Sequence, residues 1–264
     1  MLLLLEAVHR HYGYDFRNYA PASLRRRIRQ YMALEQIGAV SGVQQQVLHD
    51  PAAMERLLLT LTVGVTEMFR DPGFFLAVRR KVAPLLADLP LVRIWHVGCS
   101  TGEEVYSMTI LLHEEGLGRK SRLYATDLSD LGLSKARAGI FPLAAMQTYS
   151  QNYVQAGGQA SLSEYYTAGN DAAIFRAWLR SNIIFAQHNL VTDRSFNEFH
   201  VILCRNVLIY FDKPLREHVH RLLYESLAPG GILGLGAKES IDFTPHEAGY
   251  EVLDSREKLY RKAG

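Results

Sequence analysis

Gly98-Cys99-Ser100-Thr101-Gly102, followed at once by Glu103-Glu104, is the segment of this chain whose residue types and spacing speak most directly of chemistry. It follows a short apolar run, Val92-Arg93-Ile94-Trp95-His96-Val97, that reads as a β-strand, and it opens a helix predicted from about Glu103 to His113. The two glycines let the backbone turn sharply and come close to a ligand. A helix N-terminus attracts anions, so a pyrophosphate cofactor would need that end clear of negative charge. Two carboxylates there repel phosphate and suit a ligand with cationic groups, such as a sulfonium or an ammonium. The Gly-x-Gly-x-x-Gly fingerprint of dinucleotide sites is also absent. The segment therefore favours S-adenosylmethionine over a dinucleotide; the plainer alternative is that the glutamates only complement the helix dipole.

Asp127 closes the next strand, Leu123-Tyr124-Ala125-Thr126, where doubly wound folds place an acid on ribose hydroxyls; Asp127-Leu128-Ser129 would also serve as a simple helix cap. Cys204-Arg205-Asn206-Val207-Leu208-Ile209-Tyr210-Phe211-Asp212 follows the strand at Phe199 and brings amide, guanidinium and phenol groups to the same sheet edge. His188-Asn189-Leu190 ends a further predicted strand. For both segments, a purely structural role for the buried amides and the tyrosine is the competing reading. Thr66-Glu67-Met68-Phe69-Arg70-Asp71 offers an arginine able to clamp a carboxylate with two parallel bonds, or else a surface arginine at a helix end.

Other constellations fall away. His218 and His220 are two residues apart and do not share a helix face. No Gly-x-Ser-x-Gly elbow or His-Glu-x-x-His pair occurs, and no metal site is expected. The missing acid/base machinery suits carboxylate methylation: a free glutamate has a pKa of about 4.3, so it is already ionised at neutral pH. Catalysis could then rest on alignment and on removal of water from the nucleophile.

The elements that must position these groups fall into two patterns. Residues up to about 72 read as helices: one through Tyr12 ended by Gly13, one opened by Pro21 and Ser23, and one from about Pro51 to Leu61. This block holds eight Arg and no Lys, with Arg25, Arg26, Arg27 and Arg29 crowding the polar faces of the second helix. Residues 73–90 form a connecting helix or linker. From residue 91 to 264 strands alternate with helices, which predicts a mostly parallel sheet covered on both faces. An interval at about 141–182 breaks that rhythm. Gly157-Gly158 reads there as a tight turn, with short strands at Tyr165-Tyr166-Thr167 and from Ala172 to Phe175, and the interval is predicted to be a small inserted subdomain.

Composition narrows the class. With 48% apolar and 21% charged residues the 264-residue chain is an ordinary globular one, and a formal charge of +2 gives no general case for nucleic acid. Cys99 and Cys204 form no CxxC pair or metal spacing, which argues for a reducing compartment. The opening Met1-Leu2-Leu3-Leu4-Leu5 run is too short to insert in a membrane and lacks signal-peptide features, so a cytoplasmic location is expected.

At these motifs the sequence resembles the chemotaxis-receptor glutamate O-methyltransferases, the CheR-type family, along essentially its whole length. Leu24-Arg25-Arg26-Arg27-Ile28, Val65 to Asp71, Ser100 to Glu104 and Cys204 to Phe211 carry the resemblance, in that order. It implies an all-α N-terminal domain, followed by a class I, Rossmann-like S-adenosylmethionine methyltransferase domain with an inserted β-subdomain. It also implies that Gly64, Thr66, Arg70, Gly98, Glu104 and Asp127, with Asn189, Leu190, Arg205, Asn206 and Val207, form the cofactor site, with Arg70 on the methionine carboxylate and Asp127 on the ribose. Tyr210 would stand near the transferred methyl. Arg25, Arg26 and Arg29 would dock on the acidic cytoplasmic helices of methyl-accepting chemoreceptors, with other signalling regulators as further partners. Two departures stand out: Gly64 occupies a position where relatives often carry Asn, and Gly236-Ala237-Lys238-Glu239-Ser240 replaces a Gly-His-Ser-Glu run. A nucleic-acid methyltransferase and a non-catalytic cofactor-binding adaptor are the rival functions; the former lacks its Pro-Pro-aromatic motif here.

Overall fold

Apolar residues at helix spacing build the N-terminal block of the computed structural model, which describes residues 1–62 and 66–264. Helix α1 (Leu2–Tyr12) buries Leu4, Leu5 and Val8 and ends at Gly13, whose φ of 79° turns the chain. Helix α2 (Pro21–Leu34) starts on a proline at its first turn, where the missing N–H costs nothing, and buries Leu24, Ile28 and Tyr31. Helix α3 (Val40–His49) is an addition to the three helices expected; only Val43 and Val47 of it are fully buried, too sparse a stripe to stand out in the sequence. Helix α4 (Pro51–Thr62) completes the block, and the Tyr31 hydroxyl donates to the Ala53 carbonyl to join α2 to it.

The connection is helical: α5 (Pro72–Ala77), a π-helical turn at Val78–Val82, and α6 (Ala83–Leu86). Strands and helices then alternate: β1 (Val92–Val97), α7 (Glu103–Glu114), β2 (Ser121–Asp127), α8 (Asp130–Ala138), β3 (Ile140–Pro142), α9 (Met146–Gln155), β4 (Tyr166–Ala168), β5 (Ala172–Phe175), β6 (Ile183–Gln187), β7 (Phe199–Cys204), α10 (Lys213–Ser226), β8 (Leu227–Leu235), β9 (Tyr250–Asp254) and β10 (Leu259–Lys262). Among the described residues these strands make a seven-stranded sheet in the order β6-β2-β1-β7-β8-β10-β9 and a three-stranded sheet in the order β3-β5-β4. All neighbours in the large sheet are parallel up to β8, and β10 and β9 close its edge antiparallel. Order reverses at β1, which has β2 on one side and β7 on the other, so a crevice opens beyond the carboxyl ends of these strands.

The tight turn at Gly157, with φ 76°, closes the end of α9, and the hairpin of the small sheet turns between β4 and β5. Pro229-Gly230-Gly231 lies inside β8, where the register against β7 shifts. A bulge absorbs the extra residues.

Two apolar cores lie on opposite faces of the large sheet. One gathers α5 to α7 with the inserted segment; the other gathers the N-terminal helices and α10 with Trp95, Ile202 and Leu233. The helical block thus shares a core with the sheet. A buried polar cluster secures the insert: Glu114 accepts from Arg79, Tyr153 and Tyr165, and Arg79 also pairs with Glu115 at 2.8 Å. No described helix is long and apolar enough to cross a membrane.

Candidate active site

The crevice at the β1/β7 switch is a cleft of about 1000 Å³, solvent mouth included. Its floor is the turn after β1. Gly98 holds φ 66° and a Cβ there would fall 2.7 Å from a Val207 methyl, so the loop after β7 packs directly on glycine. Gly102, at φ 95°, is pressed against Ala136 of α8 in the same way. Both positions need glycine for backbone conformation and for space.

The glutamates at the start of α7 part company, which corrects the expectation that both face a ligand. Glu104 lines the cleft, whereas Glu103 is buried away from it and accepts from the Thr101 hydroxyl at 2.6 Å. Burial pushes Glu103 above the usual carboxylate range. For Glu104 burial pulls the same way, but the hydrogen bond from His96 Nδ1 at 3.0 Å and the charge of Arg205 outweigh it and hold the carboxyl low. Arg205 donates to Glu104 at 2.9 Å, to Asp71 at 2.8 Å and to the Arg70 carbonyl at 3.2 Å, with its guanidinium 4.0 Å above the Phe74 ring. Its side chain is only 2% exposed; it lines the cleft, keeps Glu104 ionised and fixes the Arg70 segment. Taking away one member of such a buried pair costs about 3–5 kcal/mol, because the other charge is stranded.

Asp127, at the end of β2, accepts the Ser129 N–H at 2.9 Å and the Ser100 N–H at 2.8 Å, one on each carboxylate oxygen. Burial pushes its carboxyl up, and those N–H groups pull it back. Each oxygen keeps a lone pair for a ligand hydroxyl. Arg70 and Thr66 line the opposite wall. Phe69 and Asp71 on either side of Arg70 hold φ of 52° and 57°, a conformation that costs about 1–3 kcal/mol per residue and marks a segment shaped for something other than stability. Asn189 and Leu190 follow β6, and Asn206, Val207 and Tyr210 follow β7; all of them line the cleft. Gly64 lies outside the described residues.

Two groups that sequence reasoning missed complete the site. Tyr19, in the segment before α2, lines the cleft and forms an antiparallel bridge with Phe211. Its phenol is pushed up by burial and by the nearby Asp127 charge. Glu239 is buried, and its carboxylate accepts backbone N–H groups from Asn206 at 2.9 Å, Gly236 at 2.7 Å and Ile209 at 3.3 Å. It pins the loop that carries Asn206, Val207 and Tyr210. The sequence signal was the carboxylate surviving in the run that departs from the family pattern.

The basic helix also divides. Arg25, Arg26 and Arg29 are exposed, but Arg27 is buried, contrary to the reading that set all four on polar faces. It donates to the Thr60 carbonyl at 2.8 Å and stacks on Tyr210.

The donor set fits S-adenosylmethionine. A cleft with carboxylates at Glu104 and Asp127 and a guanidinium at Arg70 complements a ligand that carries a sulfonium, an ammonium, a carboxylate and a ribose. Ser100 Oγ and His188 Nδ1, of two cleft-lining residues, are buried with no hydrogen-bond partner among the described residues. Buried polar groups rarely stay unpaired, so a polar ligand has partners waiting.

Comparison with known proteins agrees. Residues 64–258 match the family described as CheR methyltransferase, SAM binding domain, and residues 1–62 match its all-alpha domain. Cher3 of Pseudomonas putida is 48% identical over 99% of this chain and 96% of its own length. A chemotaxis protein methyltransferase of Listeria monocytogenes is 27% identical over 96% of this chain and 94% of its own length. One of Salmonella typhimurium is 30% identical over 72% and 65% respectively. With both of its parts matched and the cofactor cleft at the expected sheet edge, the chain belongs to the CheR methyltransferase family and uses S-adenosylmethionine.

Proposed function

We propose that this enzyme methylates glutamate side chains on the cytoplasmic helices of bacterial chemoreceptors. The observation that carries the reading is Tyr210 in the lining of the cleft, on a loop pinned by Glu239, with exposed Arg25, Arg26 and Arg29 on the helix whose Arg27 covers its ring. When bound, S-adenosylmethionine supplies an electrophilic methyl group on a cationic sulfur. Arg70 would grip the ligand's carboxylate, Asp127 its ribose and Glu104 its cationic end. Asn189, Leu190, Asn206 and Val207 would hold the remainder. Tyr210 would orient the incoming carboxylate by donating its hydroxyl. The acceptor glutamate arrives ionised, so no residue must remove a proton; the chain aligns it and excludes water. The three exposed arginines would meet the acidic face of the receptor helix, an attraction that guides approach more than it adds affinity.

The test is incubation of the enzyme with methyl-labelled cofactor and a purified receptor signalling domain. Base-labile label mapped to glutamate is the expected result. Label on another residue type, or on nucleic acid offered in competition, would refute the assignment.

A further inference from the structure

Arg27 lies 4.3 Å above the centre of the Tyr210 ring while Nη1 donates to the Thr60 carbonyl of α4. It is 4% exposed and does not itself line the cleft, whereas Tyr210 does. The backbone on either side of that tyrosine is held by the same helical block: Ala20 donates its N–H to the Tyr210 carbonyl at 2.8 Å, and Asp212 donates to the Asn18 carbonyl at 2.9 Å. Tyr19 adds its ring edge-on to Phe211 at 4.9 Å. Residues 18–27 thus supply several of the holds around Tyr210 among the described residues, and the ring face is covered by a cation.

A buried guanidinium is costly to desolvate, which sets Arg27 apart from its exposed neighbours on the helix. A planar cation over a phenol does what an apolar residue cannot: attraction to the ring face holds the ring plane in place. We propose that Arg27 is a positioning residue for the methyl-transfer step, acting through Tyr210, and that it is set apart from its exposed neighbours on the same helix by this task. The inference rests on the reading of Tyr210 as the residue that orients the acceptor carboxylate. It gives the helical block a part in the reaction centre itself.

Arg27→Met keeps volume and removes the cation; Arg27→Lys keeps the charge and removes the planar stack. Turnover of labelled methyl onto a receptor signalling domain is measured in both, in Tyr210→Phe, and in the double variant Arg27→Met/Tyr210→Phe. Affinity for S-adenosylhomocysteine is measured alongside. Arg27→Met is expected to lower kcat by about tenfold to a hundredfold, as a misplaced group does, with KM and ligand affinity little changed. Arg27→Lys recovers part of the loss. In the Tyr210→Phe background the same Met substitution costs little, since the hydroxyl it served is gone. An equal loss in both backgrounds, or a loss of ligand affinity that matches the loss of kcat, overturns the inference. If the wild type methylates no receptor domain, the acceptor assignment fails, and 19F spectra of 3-fluorotyrosine-labelled enzyme decide the positioning role alone. A Tyr210 resonance displaced by Arg27→Met supports it; one that stays in place overturns it.

Discussion

The carboxylate of Glu239 receives the backbone N–H of Asn206 at 2.9 Å, from a residue held at φ 61° in the left-handed region. The same carboxylate takes N–H groups from Gly236 and Ile209 and so closes the loop that follows β7 onto the loop that follows β8. Asn206, Val207 and Tyr210, which line the cleft, stand on a strained turn, and one buried acid on a different element keeps it in place.

Glu239→Gln should therefore harm the cofactor site although no ligand atom need touch it. Gln has one acceptor oxygen for three N–H groups, and a hydrogen bond to a charged partner contributes about 1.5–3 kcal/mol. Urea unfolding should show a loss of about that size, and calorimetry should show weaker binding of S-adenosylhomocysteine. Unchanged affinity with unchanged stability would remove Glu239 from the site.

Charge reversal at the exposed arginines, Arg25→Glu with Arg29→Glu, should leave the fold and the cofactor affinity alone. Both side chains are exposed, and the core of α2 rests on Leu24, Ile28 and Tyr31. Receptor methylation should fall and should lose much of its dependence on ionic strength, since salt screens the attraction that was removed. Parallel loss of cofactor binding would contradict a docking role.

His220 provides a pH signature. Burial, with the charges of Arg216 and His246, pulls its pKa to about 4, below the usual 6.5. Between those values the unfolded chain binds a proton that the folded chain refuses, so stability rises with pH through this window and is lost on acidification. From pH 7 to pH 4.5 the wild type should lose roughly 2–3 kcal/mol more than His220→Leu, which has nothing to protonate there. Urea unfolding at the two pH values measures it; equal losses in both proteins would show that burial does not suppress protonation of His220.

Much of the architecture was legible because its signals are local. Gly13 and Ser129 mark helix boundaries by themselves, the latter by accepting the Gly132 N–H at 3.2 Å. The run Val92–Val97 reads as a strand because a central parallel strand is apolar on both faces. What stayed hidden depends on partners far away in sequence. Arg27 cannot be told from Arg26 by residue type; its spacing from Leu24 and Tyr31 puts it on the buried stripe of the helix, but what it does there depends on Thr60 and Tyr210, from two other elements. Glu103 and Glu104 are adjacent, yet His96 and Arg205 take one and Thr101 the other. Glu239 keeps the spacing of the Gly-His-Ser-Glu run from Gly236, but its three acceptor contacts appear only once the loops meet. Helix α3 fully buries only Val43 and Val47, which leaves little periodicity to read, whereas α9 does carry a helical stripe, Met146, Tyr149 and Tyr153, inside the interval read as turn and short strands.

Titration of S-adenosylhomocysteine into the wild type, Arg70→Ala and Asp127→Ala bears most directly on the cleft as the cofactor site. The wild type should bind one equivalent, and each variant should bind at least about tenfold more weakly, the loss expected when a ligand's polar group is left without its partner. Full affinity in both variants would mean that the ligand sits elsewhere.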